Sequence, residues 1–534
     1  AQGKDYWRAF SPLGWPGNIG TFANDFRPLE LILAQGDQKD EELALSALTH
    51  GRRGGVVPVS KTYPKTDYVY YARGKVIERV ETVEVAPLKV MPSPFSDAWV
   101  RHHKWVWWLA QLAAGILVGA VVREFWARLL AVTLVFTLLE TVRLWFWPAG
   151  LIMTLGVGVA AWFLHRRSGL VPGFVWTRNS AWGLLAAVPC VTLALQSLAH
   201  PAAHWDAMSM WLPRAALLAE HNTLFYHGAL PADAVFPAYE GYPPAWPAWL
   251  SVFWSFFPQL GFATGALMLG MLIAALVEIL LSQKVPWPLA LVAANYSYLY
   301  LYEHAGYLYA QVLTAAAAFL LFHVLWRCHG TPGGLLLGSL MALLLPVTRM
   351  ESVAYAGFVL ALLLGLRIPW RRLVVPALCV GVMFVAWSVT WKTSGFSSQS
   401  GRAGMGLALL LQESPMMWLH RLGFLFWYQM IRMRLNVEHF FMILCLLTWL
   451  WVWGRTRGAA LVRGWWLLWA ALVLKGGILV LFYFPVPVMD NREMMSLYLS
   501  TGYYRMYSHF VPVLFLLLPW VMERAQPGTP GLNR

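Results

Sequence analysis

A succession of apolar runs begins at Trp105 and extends to the last part of the chain. A helix that crosses a bilayer needs about 20 predominantly apolar residues, and it satisfies its own backbone polar groups. The runs that approach this length are 104–122, 125–147, 148–165, 178–199, 261–282, 285–305, 307–327, 333–350, 352–366, 373–391, 437–454, 464–484 and 506–523. The sequence therefore predicts an all-α polytopic membrane protein with about 11–13 transmembrane helices.

Composition agrees with a chain that lies mostly in lipid. Of the 534 residues, 59% are hydrophobic and 12% are charged, whereas soluble domains carry about 25% charged residues. The formal net charge is +14, but Lys and Arg lie in short loops, as in the cytoplasmic loops of membrane proteins. No basic stretch accompanies a nucleic-acid-binding signature, so we expect membrane lipids and not nucleic acid as partners.

Residues 1–98 differ from the rest of the chain because they are polar and rich in turn signals. The stretch 68–85, with a turn at Arg73-Gly74-Lys75, predicts a β-hairpin. We expect a small extramembrane domain with some strand content, through which the chain could bind a protein partner. Arg101 and Lys104 favour the cytoplasm for this domain, whereas the parity of the spans favours the exterior.

Basic residues fall on alternate connections between the predicted spans, which assigns those connections to the cytoplasm. The transmembrane domain then covers 99–523, with external loops at 200–260, 392–436 and 485–505, and residues 524–534 form a cytoplasmic tail. Charged residues in or beside spans are functional candidates by default. Since many of them occur in the external connections, we expect a polar cavity at that face.

Four motifs follow one another in these external connections. They are His204-Trp205-Asp206-Ala207, Glu240-Gly241-Tyr242-Pro243-Pro244, Thr348-Arg349-Met350-Glu351-Ser352, and Tyr504-Arg505 followed by Pro512. In this order they resemble the GT-C superfamily of glycosyltransferases that use polyprenyl-phosphate sugars, particularly bacterial relatives of protein mannosyltransferases and lipid A aminoarabinose transferases. The resemblance extends over roughly residues 178–523.

The resemblance implies an inverting glycosyltransferase at the periplasmic face of the cell inner membrane, with a polyprenyl-phosphate-linked sugar as donor and a lipid, glycan or protein as acceptor. One carboxylate takes the proton of the acceptor hydroxyl, and cations stabilise the departing phosphate. Asp206 is the candidate general base. The other candidate catalytic residues are Glu240 and Glu351. The candidate substrate-binding residues are Arg349, Arg505, Arg492, Tyr242, Glu303, His304 and His509.

One segment departs from the family pattern. Relatives carry G-Y-A-D-L-P after the span that ends near residue 305, whereas this chain has Gly306-Tyr307-Leu308-Tyr309-Ala310-Gln311. The pair Glu303-His304 lies just before this segment and could replace the missing acid. No ligand spacing such as H-E-x-x-H predicts a metal site. A divalent cation bound with the donor is the one cofactor that the resemblance still allows.

Other interpretations of the same residues remain open. Asp206 could cap the helix that follows it, Arg349 and Glu351 could form a structural ion pair, and Arg505 could anchor the membrane interface. The chain could also be a flippase for lipid-linked sugars, a polysaccharide polymerase or ligase, or a non-catalytic subunit of a larger membrane complex.

Overall fold

The computed structural model describes residues 55–58, 67–72, 75–81, 97–168, 173–199, 211–222, 224, 243–349, 351–393, 415–427 and 508–522. Its helices in chain order are α1 Asp97–Gly119, α2 Phe125–Trp145, α3 Trp147–Ser168, α4 Arg178–Ala186, α5 Val188–Ala199, α6 Leu212–His221, α7 Ala245–Phe256, α8 Thr264–Ser282, α9 Trp287–Gly306, α10 Gln311–Arg327, α11 Pro332–Thr348, α12 Ser352–Gly365, α13 Trp370–Thr393, α14 Pro415–Trp427, α15 Val511–Phe515 and α16 Leu518–Met522. The described part of the chain is therefore dominated by helices, as predicted.

Several of these helices have the length and composition of membrane spans. Within the described residues, four are long and apolar enough to cross a bilayer: Phe125–Trp145, Trp147–Arg167, Leu260–Ser282 and Trp370–Thr390. A fifth is added if the bent pair α4 and α5 counts as one span. These findings confirm the prediction of an α-helical membrane protein. The total of 11–13 spans stays a prediction, because 437–454 and 464–484 lie outside the described residues.

The bend between α4 and α5 has a local cause. The two helices meet at 44°, and Pro189 is the second residue of α5. Proline has no backbone N–H to donate, and its ring clashes with the carbonyl four residues earlier, so a helix kinks or breaks there. We therefore attribute the bend to Pro189.

The helices divide into a buried core and a lipid-exposed shell. Most of α8 and α10 is buried among other helices. In contrast, α3 and α13 expose apolar side chains such as Ile152 and Val382. Apolar surface of this kind is stable in hydrocarbon, whereas water would disfavour a surface of this extent.

Polar contacts identify one end of the bundle, which we call the basic end. Here the Glu278 carboxylate at the end of α8 accepts hydrogen bonds from the backbone N–H groups of Phe125 (3.0 Å) and Trp126 (2.7 Å), so it caps α2. Glu124 lies 3.7 Å from His323 of α10. Lys284 and Arg327, which the sequence assigns to the cytoplasm, follow α8 and end α10 at this same end.

The opposite end, which we call the loop end, carries α6 and α7. The Trp246 indole N–H donates to the Leu308 carbonyl oxygen (2.6 Å) just after α9, and the Lys104 ammonium donates to the Ala219 carbonyl oxygen of α6. Because Lys104 lies in the first half of α1, that helix begins on the side of the loop end. The side of the membrane on which residues 1–98 lie stays a prediction.

Three strands precede the bundle. β1 (Gly55–Pro58), β2 (Asp67–Ala72) and β3 (Lys75–Glu81) form an antiparallel sheet in the order β1-β2-β3. β2 and β3 pair as a hairpin within the predicted stretch 68–85, but Lys75 pairs with Ala72 in the sheet, whereas the sequence predicted it in the turn. Whether these strands belong to an extramembrane domain stays a prediction.

Candidate functional site

The break between α11 and α12 places charged residues at the loop end. Pro346 lies in the last turn of α11, where it removes one backbone hydrogen bond and weakens that end of the helix. The backbone of Arg349 is extended, and Glu351 precedes the first residue of α12 without making a side-chain cap. The break therefore leaves both side chains available for contacts beyond their own helices.

Arg349 and Glu351 form a two-point ion pair. The Arg349 Nε lies 3.2 Å from one carboxylate oxygen of Glu351, and Nη2 lies 3.4 Å from the other. A tight charge-assisted pair has contacts of about 2.7–2.9 Å. The side chains are 11% and 23% exposed, respectively. The pair is thus loose and lies at the edge of the protein interior.

Electrostatics keep this carboxylate ionised. Burial alone would raise the pKa of the Glu351 carboxyl, but the Arg349 guanidinium and a backbone hydrogen bond together hold that pKa below its ordinary value. The break therefore presents one full positive and one full negative charge at neutral pH. A positively charged Arg349 can bind phosphate, and an ionised Glu351 can accept a proton or a hydrogen bond from a hydroxyl group.

Buried hydroxyl groups fix the position of the break. The Thr314 hydroxyl of α10 donates to Thr348 Oγ1 (3.0 Å), and Thr348 Oγ1 lies 3.0 Å from the Ser352 hydroxyl oxygen. All three residues are fully buried. Because this chain of hydroxyls joins three helices, it holds the backbone on both sides of Arg349 and Glu351 in one geometry.

His509 lies next to the same break. Its ring centroid is 4.8 Å from that of Tyr355, which in turn packs 5.0 Å from Phe510. Tyr355 is one helical turn after Glu351, so the two side chains share a face of α12. The structure thus pairs Arg349 with Glu351, and it packs His509 against Tyr355 on the face of α12 that follows Glu351.

The predicted pair Glu303-His304 divides between two environments. Glu303 is exposed and accepts a hydrogen bond from the Tyr302 hydroxyl (3.1 Å). His304 is buried, and its ring lies 5.8 Å from that of Tyr309. Adjacent helical residues point about 100° apart. The two side chains therefore do not form one combined polar group in place of the missing acid.

The remaining predicted site residues lie outside the described residues. They are Asp206, Glu240, Tyr242, Arg492 and Arg505. The described chain resumes at Trp211 after Asp206 and at Pro243 after Tyr242. In the chain these two motifs precede α6 and α7, both of which lie at the loop end. Their roles stay predictions.

One buried ion pair at the loop end was missed by the sequence interpretation. The Arg143 Nε and Nη2 atoms donate to the two carboxylate oxygens of Glu140 at 2.7 and 2.6 Å. Both residues lie in α2 and are nearly inaccessible to solvent. Two opposite charges three residues apart inside an apolar run are a signal that could have identified them.

The comparisons with known proteins add no support to the resemblance to GT-C enzymes, which rests on the sequence motifs alone. Among the described residues, no three His, Cys, Asp or Glu side chains are grouped so that they could hold a metal ion. No protein-family model, curated protein or solved structure matches the chain.

Proposed function

We propose that the protein is a membrane glycosyltransferase that moves a sugar from a polyprenyl-phosphate donor to an acceptor hydroxyl at the loop end of the bundle. The observation that carries the proposal is the loose, partly exposed Arg349–Glu351 pair in a break between two apolar helices. A lipid phosphate has its headgroup at the membrane interface and its chain between helices. A cation at such a break is suited to bind that headgroup.

Arg349 is proposed to bind the phosphate of the donor. A guanidinium has five N–H donors in a planar fork that matches phosphate oxygens. Its contacts with Glu351 exceed 3 Å, so exchanging them for shorter contacts with phosphate is favourable. Glu351 is then proposed to accept a hydrogen bond from a sugar hydroxyl.

The transfer step is a substitution at the anomeric carbon. The acceptor oxygen forms the new glycosidic bond while the bond between that carbon and the phosphate oxygen breaks. The acceptor proton passes to the Asp206 carboxylate, and polyprenyl phosphate leaves with the electron pair. Asp206 acts as general base, and the arginines stabilise the charge that develops on the leaving phosphate.

The loop end is proposed to face the periplasm, with the protein in the cell inner membrane. The basic end carries the Lys and Arg residues that favour the cytoplasm. Glu240, Tyr242, Arg492, Arg505 and His509 are proposed to complete the donor and acceptor sites. The acceptor is a hydroxyl of a lipid, glycan or protein.

The test uses the purified full-length chain in lipid nanodiscs. Binding of polyprenyl phosphate is compared with binding of the uncharged polyprenol, and transfer is measured with a panel of labelled polyprenyl-phosphate sugars. We expect Arg349→Met to weaken phosphate binding by roughly 10–100-fold, because it removes hydrogen bonds to a charged group. Arg371→Met is the matched control, since Arg371 is an exposed arginine beside Trp370 at the start of α13.

Asp206→Asn separates binding from chemistry. We expect this variant to bind polyprenyl phosphate like the wild type and to lose transfer, because an amide takes no proton at neutral pH. Equal affinity for polyprenol and polyprenyl phosphate would overturn the proposal, and so would full activity of Asp206→Asn. Movement of an intact lipid-linked sugar across the bilayer, without cleavage, would identify a flippase instead.

A further inference from the structure

A polar cluster, buried at Glu140 and Arg143 and half-buried at Lys104 and Asn222, holds the C-terminal end of α6 on the bundle. We call this cluster, formed by Lys104, Glu140, Arg143 and Asn222, the α6 clamp. Arg143 Nη2 donates to Asn222 Oδ1 at 2.7 Å across 79 residues of chain, and the Lys104 ammonium donates to the Ala219 carbonyl oxygen in the last turn of α6. Contacts from α1 and α2 therefore converge on the end of one short helix.

Glu140 is the centre of the clamp. It accepts two hydrogen bonds from Arg143 and a third from the Trp108 indole N–H at 3.2 Å. The Trp108 ring also packs 4.9 Å from Phe256 at the end of α7. Glu140 thus orients the guanidinium that meets α6 and is linked, through Trp108, to the other helix of the same external loop.

Asn222 has a backbone conformation suited to the end of a helix. Its φ of 58° and ψ of 29° are left-handed, and its backbone N–H donates to the Leu218 carbonyl oxygen. Two residues later, the Leu224 N–H donates to the Leu144 carbonyl oxygen at 2.9 Å. The side chain of Asn222 and the backbone that follows are therefore both bound to the end of α2.

The position of α6 matters because Asp206 lies six residues before its first residue. Catalytic groups must be held within about 0.5 Å of their productive geometry by surrounding residues. Because the Arg143 guanidinium binds Glu140 and Asn222 together, it restricts both the distance and the angle between α2 and the end of α6. Apolar contacts alone would allow the two helices to slide past each other. A buried polar network of this type specifies one arrangement more strongly than it contributes to stability.

We infer that Arg143 and Asn222 are positioning residues for sugar transfer, because they hold α6 against the bundle and Asp206 precedes α6 by six residues in the chain. This inference rests on the proposed function for the role of Asp206. The two residues are proposed to act on the general base and not on donor binding, so their effect is expressed in kcat and not in the affinity for the donor.

Asn222 allows a test that leaves the buried ion pair intact. Asn222→Gly keeps a left-handed backbone without strain and removes the acceptor oxygen. Asn222→Asp keeps an acceptor for Arg143, and Asp also tolerates this backbone conformation. The two variants therefore differ in the contact with Arg143 while sharing the backbone geometry.

The first measurement is hydrogen exchange of backbone amides in nanodiscs, which does not depend on activity. We expect Asn222→Gly to raise exchange in α6 by about 10–100-fold, the effect of losing one hydrogen bond to a charged group. Asn222→Asp should exchange like the wild type, and α10, which lies in the buried core, is the internal control. Unchanged exchange of α6 in Asn222→Gly would overturn the clamp.

The second measurement is transfer from the labelled polyprenyl-phosphate sugar. We expect Asn222→Gly to lower kcat at unchanged KM for the donor, and Asn222→Asp to restore kcat. Faster exchange of α6 with unchanged kcat would overturn the positioning role while leaving the proposed function intact. Absence of transfer by the wild-type protein would instead overturn the proposed function and the positioning role with it, whereas the exchange result would still decide whether the clamp exists.

Discussion

Removing the arginine of the buried pair in α2 is the sharpest test of the packing at the loop end. In Arg143→Met the side chain keeps its length and loses its charge, whereas the 3.2 Å contact of Glu140 with Trp108 remains. Two charge-assisted hydrogen bonds of 2.7 and 2.6 Å disappear. The Glu140 carboxylate, 1% exposed, then carries an uncompensated charge.

The magnitude follows from these contacts. Hydrogen bonds to charged groups are worth about 1.5–3 kcal/mol each, and removing one member of a buried ion pair costs about 3–5 kcal/mol. Because both residues lie in one helix, the loss mainly reflects the burial of Glu140 in the folded bundle, and removal of the contact between Arg143 and Asn222 adds to it. We expect Arg143→Met to lower the free energy of unfolding by about 3–5 kcal/mol.

The double variant Glu140→Gln/Arg143→Met is the matched control. It removes both charges, and Gln retains an acceptor for the Trp108 indole. Replacing a buried pair with neutral groups is often close to neutral in stability, so we expect a loss of less than about 2 kcal/mol. The variants are compared in mixed micelles with a rising fraction of denaturing detergent, with unfolding followed by tryptophan fluorescence.

Two results would refute this reasoning. A loss below about 1 kcal/mol for Arg143→Met would mean that Glu140 is solvated in the folded protein. A double variant as unstable as the sum of its single variants would mean that the two charges do not interact.

Two further predictions concern helix packing and pH. Gly183→Ala should destabilise the protein by about 1–3 kcal/mol, because the added Cβ would lie 2.6 Å from the Ala274 carbonyl oxygen of α8. Gly381→Ala is the control, because its added Cβ would have no neighbour within 4 Å. This control variant should melt in detergent at the same temperature as the wild type. Burial would raise the pKa of Glu124, but contacts led by the hydrogen bond with His323 lower it from 4.5 to about 2. A depressed pKa stabilises the folded state above pH about 4.5, and this stability is lost as the pH falls towards 2, so Glu124→Gln should flatten the fall in melting temperature over this interval. Parallel melting curves for wild type and Glu124→Gln would contradict this assignment.

Much of the fold was predictable because membrane helices are encoded locally. The apolar run 125–147 corresponds to α2, and the run 333–350 corresponds to α11. The lipid environment requires each span to satisfy its own backbone, so the length of an apolar run nearly determines the helix. The bend at Pro189 was not predicted, although proline within a span is a recognisable signal.

The candidate site was predictable only in part. The motif around Arg349 and Glu351 was recognised from its order in the chain, and the structure joins these two side chains in an ion pair. The pair Glu303-His304 was a candidate replacement for the missing acid, and the structure leaves Glu303 exposed and His304 buried. Neighbours in sequence diverge on a helix, and sequence alone does not tell which of them faces the interior.

The amino-acid sequence by itself determined that this chain is a bundle of apolar helices with its basic residues on alternate connections. These properties depend on the length of each run and on the charge of each loop, and both can be counted along the chain. Only the tertiary structure decided which polar groups meet, as with Arg143 and Asn222, which are 79 residues apart. Such a contact depends on the rotation and depth of two helices relative to each other, and these are set by side-chain packing over the whole bundle.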